Sequence, residues 1–178
     1  MENPVTETVL QPAQAIQAEL QRLAGDIVAR SEVPPLLVGI RTHGVPLAQR
    51  LAAEIAAAGR QAPKVGAIDI TLYRDDLAGR SLPQVHGSDI PFDLEGRRVV
   101  LVDDVLFTGR TVRAALTVLA DYGRPRRVEL CALVDRGLRE LPICADYTGW
   151  KIKTTDEQKI RVQIGEKPAD SDRVVLID

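Results

Sequence analysis

The chain has 178 residues, 45% of them apolar and 27% charged, the balance of a globular protein long enough to bury a sizeable core. Its 23 basic and 25 acidic side chains leave a formal net charge of -2, which excludes a generally basic nucleic-acid binder but leaves room for a local basic face. No apolar run approaches the roughly 18 residues of a membrane helix, and the start, MENPVTETVLQPAQ, lacks the basic and apolar regions of a signal peptide. With two cysteines (Cys131 and Cys144), two histidines and no CxxC, neither a disulfide framework nor structural zinc is expected, and the default compartment is the cytoplasm.

In chain order, residues 1–11 read as a mobile tail. A helix is predicted from Pro12 to Arg30, with Ile16, Leu20, Leu23 and Ile27 at helical spacing. Pro34 and Pro35 end that pattern, and Leu36-Leu37-Val38-Gly39-Ile40 reads as a buried parallel strand. The turn Arg41-Thr42-His43-Gly44 leads into a second helix over 45–58, stopped by Gly59. Residues 64–73 alternate as a strand. The charged, Gly- and Pro-bearing stretch 74–93 reads as a long excursion. A third strand over 98–102 ends at Asp103-Asp104, a third helix spans 109–122, and a fourth strand spans 128–134. This order argues for an α/β domain with a mostly parallel sheet over residues 12–178. Residues 135–178, with two weak strands at 160–164 and 174–177, are expected to form a small cap.

The most informative segment is Val99-Val100-Leu101-Val102-Asp103-Asp104-Val105-Leu106-Phe107-Thr108-Gly109-Arg110-Thr111. An apolar strand delivers two adjacent carboxylates to its carboxyl end, where open α/β sheets bind ligands. The turn that follows opens a helix whose free N–H groups and dipole suit a phosphate. Gly109 allows close backbone approach, Thr108 and Thr111 add hydroxyl donors, and the carboxylates can accept from sugar hydroxyls. Together these describe a site for a ribose 5-phosphate. An ordinary strand end with an acidic cap is the bland alternative. A Walker B acid pair would need a GxxxxGK[ST] loop, and the sequence has none.

That segment resembles the phosphoribosyl-pyrophosphate (PRPP) signature of type I phosphoribosyltransferases. Further segments extend the likeness: Asp69-Ile70-Thr71-Leu72-Tyr73-Arg74-Asp75-Asp76-Leu77, Gly109-Arg110-Thr111-Val112-Arg113-Ala114, Gly123-Arg124-Pro125, Leu133-Val134-Asp135-Arg136-Gly137, Arg139-Glu140-Leu141-Pro142-Ile143 and Ala145-Asp146-Tyr147. Over about residues 14–165 the chain resembles the PyrR family, uracil phosphoribosyltransferases that also regulate pyrimidine operons.

The resemblance implies a type I phosphoribosyltransferase fold: a mostly parallel sheet flanked by helices, a small C-terminal hood and a flexible loop. It implies that Asp103 and Asp104 hold the ribose hydroxyls. Val105, Leu106, Phe107, Thr108, Gly109, Arg110 and Thr111 would wrap the 5-phosphate, and Arg41, Thr42, His43 and Gly44 would bind pyrophosphate. The loop from Arg74 would close over the reacting centre, with Arg74 joining the catalytic set, and Arg136 and Val162 would line the nucleotide and uracil. Mg²⁺ would arrive on PRPP, with no direct protein ligand. Implied partners are PRPP, uracil, UMP and UTP, the leader of the pyr messenger RNA, and further copies of the chain in a homodimer or homotetramer.

Purine-using relatives carry an Asp just before the Thr-Gly; here it is Phe107, which favours a pyrimidine, although orotate enzymes lack that Asp too. His43 stands where the family has Arg, and a neutral imidazole donates less to phosphate near neutral pH. On the RNA side, family His, Arg and Lys positions read Leu138, Cys144 and Trp150, and a His of the first helix reads Gly25. Arg22, Arg30, Arg139 and Lys151 remain as RNA candidates. Three readings follow: a uracil transferase, an RNA-binding attenuator that senses UMP in the same pocket, or a transferase for another base.

Overall fold

The computed structural model describes residues 6–73 and 86–178. Five strands form a parallel sheet in the order β3-β2-β4-β5-β6, namely β2 (Leu36–Ile40), β3 (Val65–Ile68), β4 (Arg98–Leu106), β5 (Arg127–Asp135) and β6 (Tyr147–Lys151). A second, antiparallel sheet has the order β1-β8-β7, built from β1 (Glu7–Pro12), β7 (Lys159–Gln163) and β8 (Arg173–Ile177). Helices α1 (Ala13–Ala29), α2 (Gly44–Ala57) and α3 (Arg110–Asp121) complete the domain.

The parallel sheet is covered on both faces, which is why its strands are continuous apolar runs. Val100, Val102, Cys131 and Leu133 pack with Ile16, Leu20, Leu51 and Ile55 of α1 and α2. Val99, Leu101, Leu130 and Ala132 point the other way, toward Val112, Ala115 and Leu119 of α3. Val162 and Val174 of the small sheet join the α1–α2 side of this core. Alternate residues of one strand thus feed opposite layers, as a pleated strand requires.

Several sequence expectations need correction. Residues 7–11 of the expected tail, with Pro12 from the expected helix start, form β1, held by backbone pairing to β8 while Val9 stays exposed. With little apolar burial, that strand leaves little periodic signal. The strand expected over 64–73 stops at Ile68, because the Asp69 carboxylate accepts the Thr71 N–H (2.9 Å) and turns the chain into a 3₁₀ turn, Thr71–Tyr73. Strand β4 runs past the two carboxylates to Leu106, since Val105 and Leu106 still pair with β5. The expected cap is divided: β6 joins the parallel sheet as its edge, while β7 and β8 form the small sheet with β1.

The small sheet is docked by a buried ion pair. Arg50 of α2 donates to Asp172 at 2.6 Å, both side chains 3% exposed, and reaches Gln17 of α1 at 3.0 Å. The Ala169 N–H also donates to Asp172, at 3.2 Å. Removing one member strands a buried charge, whereas replacing both by apolar groups does not. Arg50→Met is therefore expected to lower the unfolding free energy by about 3–5 kcal/mol, with Arg50→Met/Asp172→Leu recovering most of it. Urea titration followed by circular dichroism checks both values.

Candidate active site

In the order β3-β2-β4, the chain leaves β2 toward one side and reaches β4 on the other. That reversal opens a crevice at the carboxyl ends of β2 and β4, where doubly wound sheets take ligands. The turn Arg41-Thr42-His43 follows β2 on one lip, with a cis peptide between Arg41 and Thr42. Asp103 and Asp104 lie near the end of β4 on the other lip. Two glycines let the lips approach. A Cβ on Gly44 would lie 2.1 Å from the Val102 carbonyl oxygen, and one on Gly39 would lie 2.5 Å from the Val45 Cα. The first turn of α2 therefore rests directly on backbone.

The two carboxylates are unlike. Asp103 is 6% exposed, and burial followed by the neighbouring charge of Asp104 pushes its carboxyl well above the ordinary range. It accepts the Asp104 N–H at 3.0 Å. Asp104 faces the crevice, accepts the Val105 N–H at 2.9 Å, and lies 3.1 Å from Nδ1 of His43. That hydrogen bond raises the His43 imidazole above its usual value, outweighing the opposing effect of partial burial. The contact stabilises the protein below the ordinary imidazole value, and its contribution is lost as pH rises through the raised one.

After β4 the chain forms a loop and enters α3. Gly109, at φ 93°, is the N-cap and supplies no capping side chain, and the first turn of α3 holds no acid. Its leading N–H groups suit an anion. The loop is braced from the segment after β5. The Arg139 guanidinium donates to the carbonyls of Phe107 (2.6 Å), Gly137 (3.0 Å) and Ile143 (2.8 Å), and pairs with Asp135 at 2.6 Å. The N–H groups of Glu140 and Leu141 both reach the Thr108 carbonyl at 3.1 Å, and Arg110 pairs with Glu140 at 2.6 Å. Leu106 is buried, and its carbonyl accepts the Arg136 N–H at 3.0 Å. Arg136 stacks its guanidinium 4.0 Å above the Phe107 ring and donates to Thr154 (2.8 Å) and the Thr155 carbonyl (2.7 Å).

The sequence-predicted residues thus divide. Asp103, Asp104, the Arg41–Gly44 turn, residues 105–111 and Arg136 gather at one end of the parallel sheet. Val162 packs its side chain in the core. Arg74 lies outside the described residues. Arg139, expected among RNA-facing residues, is committed to bracing the loop. Arg22 is paired with Glu19 and Asp26 and reaches the Thr148 carbonyl at 2.8 Å, while Arg30 lies 4.5 Å above the Tyr147 ring beside Asp146. Lys151 is exposed at the end of β6, and Trp150 packs against the core. The sequence reading gave Asp69 no role of its own; it gathers the His86 and Gly87 N–H groups at 2.7 and 2.9 Å and so ties residues 86–87 of the excursion to the end of β3. An acid followed at two residues by Thr was its one local sign.

Comparison with known proteins gives the same class. The family model described as a phosphoribosyl transferase domain matches residues 8–167. A hypoxanthine phosphoribosyltransferase of Trypanosoma cruzi superposes with a TM-score of 0.71 at 19% identity, covering 94% of this chain and 95% of that one. That likeness is one of fold. The protein named "Bifunctional protein PyrR" from Roseiflexus sp. (strain RS-1) is 48% identical over 168 residues, 93% of this chain and 92% of the relative. Its namesake from Bacillus mycoides (strain KBAB4) is 49% identical over 170 residues, 93% and 94% of the two chains. At such identity along nearly the whole length, the chain belongs to the PyrR family of phosphoribosyltransferases.

The His43–Asp104 contact can be read directly. In Asp104→Asn the His43 imidazole is expected to titrate at lower pH than in the unaltered protein. Histidine-resolved NMR titration measures it, with His86 as the second resonance.

Proposed function

We propose that the chain transfers a phosphoribosyl group from PRPP to uracil, giving UMP and pyrophosphate. The observation that carries this reading is the meeting of an acid pair, an amide-lined helix start and a second anion-suited turn across one crevice, with His43 bridging to Asp104. Asp104, facing the crevice, accepts from the ribose hydroxyls. Asp103, buried behind it, holds the Asp104 backbone in place. The braced loop 105–111 receives the 5-phosphate, and the Arg41–Gly44 turn receives the pyrophosphate.

Transfer builds positive charge on the ribose while the departing pyrophosphate gains negative charge. Groups fixed before the reaction stabilise both without reorganising. Mg²⁺, when present with the donor, neutralises pyrophosphate charge. Phe107, capped by Arg136, offers no proton acceptor for a purine ring nitrogen and supports a pyrimidine.

Pyrophosphate release with uracil is expected to exceed that with orotate or hypoxanthine; a faster rival base would overturn the assignment. Asp104→Asn is expected to lower kcat/KM by about 100-fold, the scale of losing one placed electrostatic contact. Coupled pyrophosphate assay of refolding-competent protein measures both.

The relatives' word "bifunctional" supports a second reading, UMP-dependent binding of the pyr leader RNA that regulates the operon by attenuation. The α1–β6 edge that would carry it is largely charge-neutralised, since Arg22 and Arg30 already face Glu19, Asp26, Asp146 and Glu129. Phosphate contacts dominate RNA affinity. Leader affinity is therefore expected to rise when Leu138→His and Cys144→Arg restore polar groups at two positions outside the core. Filter binding at one fixed salt concentration, with and without UMP, reads the gain; affinity no better than for unrelated RNA in both proteins would remove the regulatory reading.

A further inference from the structure

His43 stands at the N-cap of α2 and faces Asp104 across the crevice, its side chain 53% exposed against 19% for the carboxylate. Nδ1 is taken by Asp104 at 3.1 Å, which leaves Nε2 for a second partner. Both lips of the crevice meet in this one side chain. Asp104 is also the more available member of the acid pair, because buried Asp103 is held toward its neutral form by burial and by Asp104.

We propose that His43 is a proton-dependent binding residue for the donor's pyrophosphate: its imidazolium is parked on Asp104 in the empty site and passes to the anionic donor on binding, freeing Asp104 for the ribose hydroxyls. Where the imidazole is already charged its proton stays in place; at higher pH the neutral imidazole takes a proton from solvent as the anion binds. The inference rests on the phosphoribosyltransferase reading and deepens it. A fixed cation at this position would hold the anion at any pH. An imidazole holds it strongly only when charged, and its ordinary titration lies in the physiological range.

The charged groups around His43 fit this exchange. Among the described residues these are Arg41 on its own turn and Asp103 and Asp104 on β4. Across the turn stand Asp69 and His86, in the segment that Arg41 reaches through its hydrogen bond to the Gly87 carbonyl (2.9 Å). Arg50, further along α2, is occupied by Asp172 and takes no part. The carboxylate contact raises the imidazole's proton affinity, so the charged form persists toward neutral pH in the empty site. An incoming pyrophosphate carries more negative charge than one carboxylate and can take the imidazolium over.

Three proteins test this: the unaltered chain, His43→Gln and His43→Arg. KM for PRPP in the unaltered chain is expected to rise about tenfold between about pH 6 and about pH 8.5, the factor carried by a charge-assisted hydrogen bond. Because the contact is made in the bound ground state as well, the change falls on KM more than on kcat. His43→Arg holds the low KM at both ends of the range, and His43→Gln shows the high one at both. Any slope left in His43→Gln belongs to the donor's own phosphates and is subtracted. Calorimetry with inorganic pyrophosphate, run in buffers of different ionisation heat, reads the proton directly. The unaltered chain takes up more protons than His43→Gln at the alkaline end. Equal KM slopes, or equal proton uptake, in the unaltered chain and His43→Gln would overturn the proposal. His43-dependent pyrophosphate binding without turnover of any base would uphold it and overturn the transferase reading. The half-exposed side chain makes both variants compatible with the fold, which melting curves check.

Discussion

Everything at the crevice depends on how closely α2 lies against the sheet. Its first residue has no side chain, and nothing larger fits between it and the Val102 carbonyl oxygen. That contact sets the distance between the turn after β2 and the carboxylates of β4, and so lets one imidazole span the gap. Further along, the same helix is pinned by Arg50 to Asp172 and, through Gln17, to α1. The crevice is thus bordered by a helix fixed at its first turn to backbone and in its middle to a buried charge. Such a site is shaped before any ligand arrives, the condition under which fixed dipoles lower a barrier most.

The electrostatics are divided rather than summed. Two adjacent carboxylates cannot both be charged cheaply in a buried place. Here one is sunk into the sheet and held toward neutrality, while the other keeps the His43 imidazole as its partner. Rigidity is divided in a similar way. The loop between β4 and α3 could wander, but Arg139 gathers three of the surrounding carbonyls at once. Burial pushes the Asp135 carboxyl up, yet hydrogen bonds from Arg139 and the Gly137 N–H more than compensate and hold it below its usual value. The Asp135 side of the brace therefore stays charged at neutral pH.

The parallel sheet was legible because both its faces are buried, and a strand buried on both faces is written as an unbroken apolar run. Leu36 to Ile40 and Val99 to Val102 carry that signature. The acid pair and the Thr-Gly turn were legible because their spacing is local. What could not be read has a common cause: partners distant in sequence. β1 is held by β8, more than 160 residues later. β6 looks like a polar turn region until Tyr147 and Trp150 are seen against β5. Arg139 carries no sign of the carbonyls it gathers, so in the sequence it reads as a candidate for RNA contact. The meeting of His43 and Asp104 follows from strand order, which no single segment encodes.

The small sheet has one more consequence, in time rather than space. Its central strand is β8, and β1 and β7 pair with it rather than with each other. During synthesis all strands of the parallel sheet are available once β6 has emerged, since every one of them lies before Ile152. The N-terminal strand must wait, unpaired, for the last one. Closing so long a loop is the slow kind of event in folding. The parallel sheet and its crevice can therefore form first, and the small sheet last.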